Sequence, residues 1–338
     1  MERSRRVQVA MSFKKVMICL IFGIISYNFA GLNSNFYLDA NDELINIPQS
    51  VALSGADMAI GSGISPESSP ANLAFDTIHR LSVSYANYFQ NTYSTSVIGF
   101  NAPLGSGIGL GVTAAYVFIP DIDLSPDSTE PVVTGSTNCS YIYFRIGASK
   151  RFTIQKNIEF SAGAALSAKR TKLVVYRGYN IGLDGGVRVS FLKSGFSSGL
   201  LFENITSITQ WSKDENQIAF PHIRLGLGYE KDVRYLYGRL RLAYTSPDLL
   251  SNSGVNAELA VENKEQRLIK APYLLITAAK YGAEYTIMRR VSLRIGLTQG
   301  RFSFGGGLQL FNERAGVDFA YMTHALSGTY QLSATYQW

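Results

Sequence analysis

Along Gly328 to Trp338 every second residue is apolar or aromatic: Tyr330, Leu332, Ala334, Tyr336 and Trp338. The residues between them, Thr329, Gln331, Ser333, Thr335 and Gln337, are all polar. A period of two gives a strand with one apolar and one wet face. The same alternation recurs from His79 onward between turn signals and predicts about fourteen strands: 79–89, 93–102, 107–118, 139–150, 157–168, 178–191, 195–205, 220–231, 234–246, 272–287, 291–298, 301–311, 314–323 and 328–338. A soluble sandwich has little reason to end its last strand on an exposed aromatic. A transmembrane barrel does, because alternation puts lipid on one side and lumen on the other, with aromatics at the membrane interface. The fold class predicted is all-β: an up-and-down antiparallel transmembrane β-barrel.

Loop lengths give an independent check. The long connections, 119–138, 206–219 and 247–271, follow strands three, seven and nine, all odd. Even-numbered connections such as Leu192-Lys193-Ser194 and Met288-Arg289-Arg290 are short. Long loops at one end and short turns at the other is the asymmetry of bacterial barrels, and it places the C-terminus at the periplasmic face. Alternation then assigns faces. Outward rows include Ile142/Phe144/Ile146, Ile181/Leu183/Val187/Val189/Phe191, Ile223/Leu225/Leu227/Tyr229, Val291/Leu293/Ile295/Leu297 and Phe302/Phe304/Leu308/Leu310. Inward rows carry Tyr141, Tyr143, Arg145, Asp184, Arg188, Arg224, Glu230, Arg239, Arg241, Arg294, Gln309 and Asp318. A charge facing mid-bilayer costs about 2–4 kcal/mol, so charges kept off the apolar face support this phase.

Charged residues make up only 17% of the 338-residue chain, against roughly 25% in soluble domains. After the leader no uncharged apolar stretch is long enough for a spanning helix. The leader itself reads as a signal peptide over residues 1–30: basic Arg3, Arg5, Arg6, Lys14 and Lys15 precede the uncharged run Val16 to Ala30. Met11 offers a second start, and an uncleaved anchor is the alternative to cleavage. Five of 31 basic and one of 25 acidic residues precede residue 31, leaving 26 against 24, about +2. The net charge of +6 therefore argues for no nucleic-acid partner. Cys19 lies in the leader and Cys139 stands alone, so no disulfide framework or cysteine metal site is expected.

The terminal strand resembles the C-terminal signature of bacterial outer-membrane barrels. That implies recognition by the barrel-assembly machinery, with Tyr330, Leu332, Tyr336 and Trp338 as the signal. Upstream, Gly55-Ala56-Asp57-Met58-Ala59-Ile60-Gly61-Ser62-Gly63-Ile64 is followed by Ser68-Ser69-Pro70-Ala71-Asn72-Leu73-Ala74. This resembles the "GARxxxMGGA … NPAGLA" opening of PorV/PorQ-type outer-membrane proteins, within the wider superfamily of the FadL fatty-acid transporter. Gly282-Ala283-Glu284-Tyr285, Val291 to Leu297, Phe302 to Leu308 and Val317 to Tyr321 look similar as well. The chain departs from the family at Ser69 to Leu73, where Asn before Pro and Gly after Ala are favoured. The resemblance implies that residues 31–76 plug the barrel of residues 77–338 from the periplasmic side, with Gly55, Gly61, Gly63, Pro70 and Asn72 carrying the motif. A disordered periplasmic lead-in is the alternative.

The PorV/PorQ resemblance implies a non-enzymatic partner in protein export or surface attachment, acting with type IX-like secretion-system proteins. The FadL branch implies a transporter that binds small hydrophobic compounds in the barrel and releases them sideways. A general porin is a third class and needs an open lumen. The acidic, proline-containing stretch Asp121 to Pro131 favours the docking class. Outer-membrane lipid is a partner in all three. His79, His222 and His324 are far apart in sequence, with no metal-ligand or nucleophile motif around them, so neither enzyme nor cofactor is expected. The glycines Gly305/Gly307 and Gly182/Gly186 either make room for a packed plug or mark barrel curvature. The lumen arginines either line an anion channel or form a paired interior, Arg188 with Asp184 and Arg224 with Glu230; the paired reading is favoured.

Overall fold

Fourteen strands, each antiparallel to the next, close into a single barrel. They are β1 (Arg80–Tyr88), β2 (Tyr93–Gly105), β3 (Ile108–Leu124), β4 (Gly135–Gln155), β5 (Ile158–Leu173), β6 (Tyr176–Phe191), β7 (Phe196–Trp211), β8 (His222–Val233), β9 (Gly238–Thr245), β10 (Lys280–Ile287), β11 (Val291–Thr298), β12 (Arg301–Leu310), β13 (Ala315–Met322) and β14 (Thr329–Gln337). The computed structural model describes residues 36–37, 45–61, 68–124, 135–174, 176–212, 216–233, 235, 237–250, 272–324 and 327–338. Gly63, the leader, and most of the two longest loops lie outside those residues. Closure is made by β14 on β1, in register from Thr329 opposite Tyr88 to Gln337 opposite Arg80. One further residue pair extends the seam, with His79 and Trp338 exchanging backbone bonds of 3.2 and 3.1 Å. A closed ladder satisfies every strand's backbone without water, which hydrocarbon demands.

The faces follow the alternation. On β14, Tyr330, Leu332 and Tyr336 are more than half exposed, while Thr329, Gln331 and Ser333 are buried inside. The outward rows Ile142/Phe144/Ile146 and Leu293/Ile295 are likewise exposed, and Arg145, Arg224, Arg294 and Asp318 are buried on the inner side. A one-residue slip in any strand would exchange the faces, so the pattern also fixes the register. Two-residue turns close several hairpins; between β11 and β12, Gln299 and Gly300 both have positive φ (47° and 74°), as a type I′ turn requires. Gly195 has φ +75° and its backbone sits against the Glu230 carbonyl, where a side chain has no space.

Several boundaries differ from expectation. β3 and β4 extend to Leu124 and from Gly135, and β7 extends to Trp211, so two of the expected long loops are partly strand. Residues 272–279 are not strand: Leu274–Thr277 forms a short helix before β10. Tyr244 and Tyr281, on β9 and β10, donate their hydroxyls to the carbonyls of Leu275 and Ile276 at 2.7 and 2.8 Å, folding that stretch back onto the wall. The wall is also uneven. β3 to β7 are 16–21 residues long, whereas β9 to β14 are 8–10.

Candidate functional site

The interior is where the sequence placed its charges, and it is not empty. Ile45 to Gly61 and Ser68 to Asp76 run across it. Helix α1 (Pro48–Ala52) lies against β11 to β14, the turn Asp57–Ala59 against β7 to β9, and the turn Pro70–Phe75 against β2 to β6. Proline opens both α1 and the last turn, where a missing N–H costs nothing. The contact is close because the wall is bare where the segment passes. A Cβ on Gly305 would stand 2.6 Å from Ala52 Cβ, one on Gly226 2.6 Å from Met58 Cε, and one on Gly163 2.8 Å from Pro70. Gly186 faces Ser69 in the same way. Gly307 and Gly182 serve neighbouring side chains instead: Asp318 and Arg294 for the first, Ser167 for the second.

Polar wall residues take up the backbone of this segment. Ser303 Oγ donates to the Ala52 carbonyl (3.1 Å), Ser197 Oγ to Ala59 (3.0 Å), Ser161 Oγ to Ala71 (3.0 Å) and Arg145 to Ser68 (3.1 Å). Asn72, fully buried, donates to the Met58 carbonyl at 2.9 Å and accepts from Arg188 at 3.0 Å. One amide thus ties the two halves of the segment to each other and to the wall. Gly55 turns the chain after α1 with φ +71°, and Gly61 closes onto the Asp57 carbonyl.

Most of the lumen charges are paired, but not as the sequence suggested. Asp184 pairs with Arg145 on β4 (3.2 Å), and Arg188 turns to Asn72 and lies 4.2 Å over the Phe75 ring. Arg224 pairs with Glu203 on β7 (3.1 Å). Glu230 takes Arg239 (3.0 Å) and Arg241 (2.7 Å) from β9. Residues four or six apart along one strand are about 13 or 20 Å apart, whereas neighbouring strands lie under 5 Å apart, so the partners come from across the ladder. From Arg241 the network runs on to Glu284 (2.9 Å), then to Arg294, and from Arg294 to Asp318 (2.6 Å). That last link crosses β12 above Gly307. Gln49 of α1 donates to the other Asp318 oxygen at 2.6 Å, joining the network to the segment.

One region of the inner wall is apolar. Tyr88, Tyr93, Val97, Ala115, Val117, Tyr141 and Tyr143 of β1 to β4 bury together with Ile45 and Ile47. Tyr88 and Tyr93 stack at 4.2 Å, and Gln331 donates to the Tyr88 hydroxyl at 2.9 Å. Alternation puts Tyr141 and Tyr143 inward, but because it equates apolar with outward it does not find Val97, Val117, Ile45 and Ile47. The signal lay in Ala114 to Ile119, where both parities are apolar, the mark of a strand covered on both faces. The histidines do not converge: His79 stacks on Trp338 (5.6 Å) and His324 leans on Phe89 (4.4 Å), while His222 is buried on β8.

This architecture is that of outer-membrane β-barrels. Among solved structures, a deletion mutant of TodX, described as a monoaromatic hydrocarbon channel, matches with TM-score 0.50 and 11% identity, covering 87% of this chain and 99% of that one. The CymD monoaromatic hydrocarbon channel matches with TM-score 0.51 and 12% identity, covering 87% and 97%. A Pseudomonas aeruginosa FadL homologue gives 0.48 at 10% identity, covering 86% and 98%. At such identities the likeness to the first two establishes a shared fold alone. No protein-family model and no curated sequence matches the chain.

Proposed function

We propose that the protein passes small hydrophobic molecules across the outer membrane. The observation that carries this reading is the apolar aromatic surface inside the lumen, formed by Tyr88, Tyr93, Val97, Val117, Tyr141 and Tyr143. Ile45 and Ile47 of the inner segment cover this surface in the structure, so a nonpolar ligand reaches it by taking their place, gaining about 25 cal/mol per Å² of apolar area it buries. The fold neighbours described as hydrocarbon channels support the same reading. Nothing in the comparisons favours the protein-export role that the PorV/PorQ resemblance implied. In this reading residues 45–76 are the plug, the long loops face outward, and Trp338 lies at the periplasmic rim.

Toluene titrated into the purified barrel is expected to bind saturably. Val117→Asp, which sets a carboxylate in the apolar patch, should weaken that binding about tenfold or more. Heat-modifiable gel migration checks that the variant is folded, and Val97→Asn provides a milder second test. Absence of saturable binding to the wild type would overturn the reading.

The seam makes a separate prediction. Trp338 packs on His79, Phe100 and Tyr336 at ring distances of 5.6, 6.1 and 5.6 Å, over the last pair of the closing ladder. Deleting Trp338 should lower the yield of inserted, heat-modifiable barrel severalfold. A normal yield would count against its role as anchor and assembly signal.

A further inference from the structure

Three cations stand on the outer face of the barrel, beyond the edge of its apolar surface. On β5 the outward positions run Ala164, Leu166, Ala168, Arg170, Lys172, and on β6 they run Ile181, Tyr179, Arg177. The register puts Ala168 opposite Ile181, Arg170 opposite Tyr179, and Lys172 opposite Arg177. On the β4 side, Ala168 meets Phe144 and Arg170 meets Ile142. The change from hydrocarbon-facing to cationic therefore takes one step of two residues, about 7 Å along the strand. Leu166 and Ile181, just below, are 55% and 68% exposed, as lipid-facing side chains are.

All three cations are exposed, and none forms an ion pair with a carboxylate among the described residues. Arg170 instead lies 5.9 Å over the Tyr179 ring. Asp123 on β3 stands opposite Ser136, farther out than the Ser140–Lys172 pair. Like charges directly opposite in a ladder destabilise it, so Lys172 beside Arg177 is a local cost unless an anion lies between them. Most interior arginines of the same barrel are held by carboxylates, whereas these three outer cations face no carboxylate among the described residues of the wall.

We propose that Arg170, Lys172 and Arg177 bind the phosphate groups of lipid headgroups in the leaflet surrounding this end of the barrel. The acyl chains of the same lipid lie along Ile142, Phe144, Leu166 and Ile181. The ligand class follows from the juxtaposition: fixed positive charge at the edge of an apolar face suits a molecule with an anionic head and an apolar tail. Tyr179, with an apolar ring and polar tip, sits at the boundary as interfacial aromatics do.

The test uses the full-length purified barrel in detergent and native mass spectrometry. The probes are bis-phosphorylated lipid A and the same lipid with its phosphates removed. Wild type should retain the phosphorylated lipid far better than the stripped one. Arg170→Gln/Lys172→Gln/Arg177→Gln should lose about a hundredfold in retention at low salt, because each surface cation contributes roughly one order of magnitude at most. Arg170→Lys/Arg177→Lys should keep most of it, which separates charge from local folding. Equal retention of both lipids by wild type, or an unchanged triple variant, would overturn the proposal. Displacement of lipid A by equimolar inorganic phosphate would overturn it too, showing a site for free anions.

Discussion

Deleting residues 45–76 is expected to turn a barrel that carries no steady current into an open pore in planar bilayers. The fourteen-strand ladder closes without this segment, so the wall should survive its loss. What goes with it is the material across the lumen: α1 on β11 to β14, Asp57–Ala59 on β7 to β9, and Pro70–Phe75 on β2 to β6. Apart from the apolar patch on β1 to β4, the wall left behind is lined with glycine, serine and arginine, which water can solvate. A point change should give a graded form of the same result. Asn72→Leu removes the bonds to Met58 and Arg188 at once, a loss of about 1–3 kcal/mol for a buried polar contact left unmade. Intermittent openings and faster cleavage within residues 45–76 by a protease of broad specificity such as proteinase K are the expected readouts, since no Lys or Arg lies between Lys15 and Arg80 for trypsin to cut. A deletion variant as silent as wild type would rule out the plug.

The second large effect lies in the charge network. Glu284 is 5% exposed and holds both Arg241 and Arg294, and Arg294 holds Asp318. Glu284→Leu leaves two guanidinium groups facing each other without their shared carboxylate, and a broken buried pair costs about 3–5 kcal/mol. The solvent-exposed Arg239–Asp232 pair is the control, because such pairs contribute at most about 1 kcal/mol. Urea unfolding of the reconstituted barrel, followed by tryptophan fluorescence, should show the first variant unfolding far earlier than Asp232→Asn, which removes only the exposed partner and leaves Arg239 on Glu230. Equal midpoints would mean that the network carries little of the wall's stability.

Period-two alternation sufficed to place all fourteen strands and to sort Ile142 from Tyr143 and Leu293 from Arg294, because lipid outside and polar lumen inside impose one rule on every strand. The same rule hid the apolar interior. Val97 and Val117 obey a different constraint, packing against Ile45 and Ile47 across some fifty residues or more of chain, and alternation within a strand has no knowledge of that. The ion pairs failed for a related reason. Arg188 and Asp184 are close in sequence, but a strand carries neighbours apart, and choosing Arg145 for Asp184 requires the β4–β5–β6 register. Strand ends were least legible at β3, β4 and β7, where the ladder continues through polar residues such as Asp123 and Asn138 that read as loop.

The uneven strand lengths have a consequence for how anything reaches the lumen. Strands of 8–10 residues, tilted about 40°, rise roughly 20–25 Å, close to the height of an apolar belt and no more. Strands of 16–21 residues must overshoot it. The strand wall is therefore oblique, shorter along β9 to β14 than along β3 to β7. In the transport reading proposed above, a nonpolar solute concentrated in the membrane meets the shorter wall first, with the taller wall behind it as a backstop.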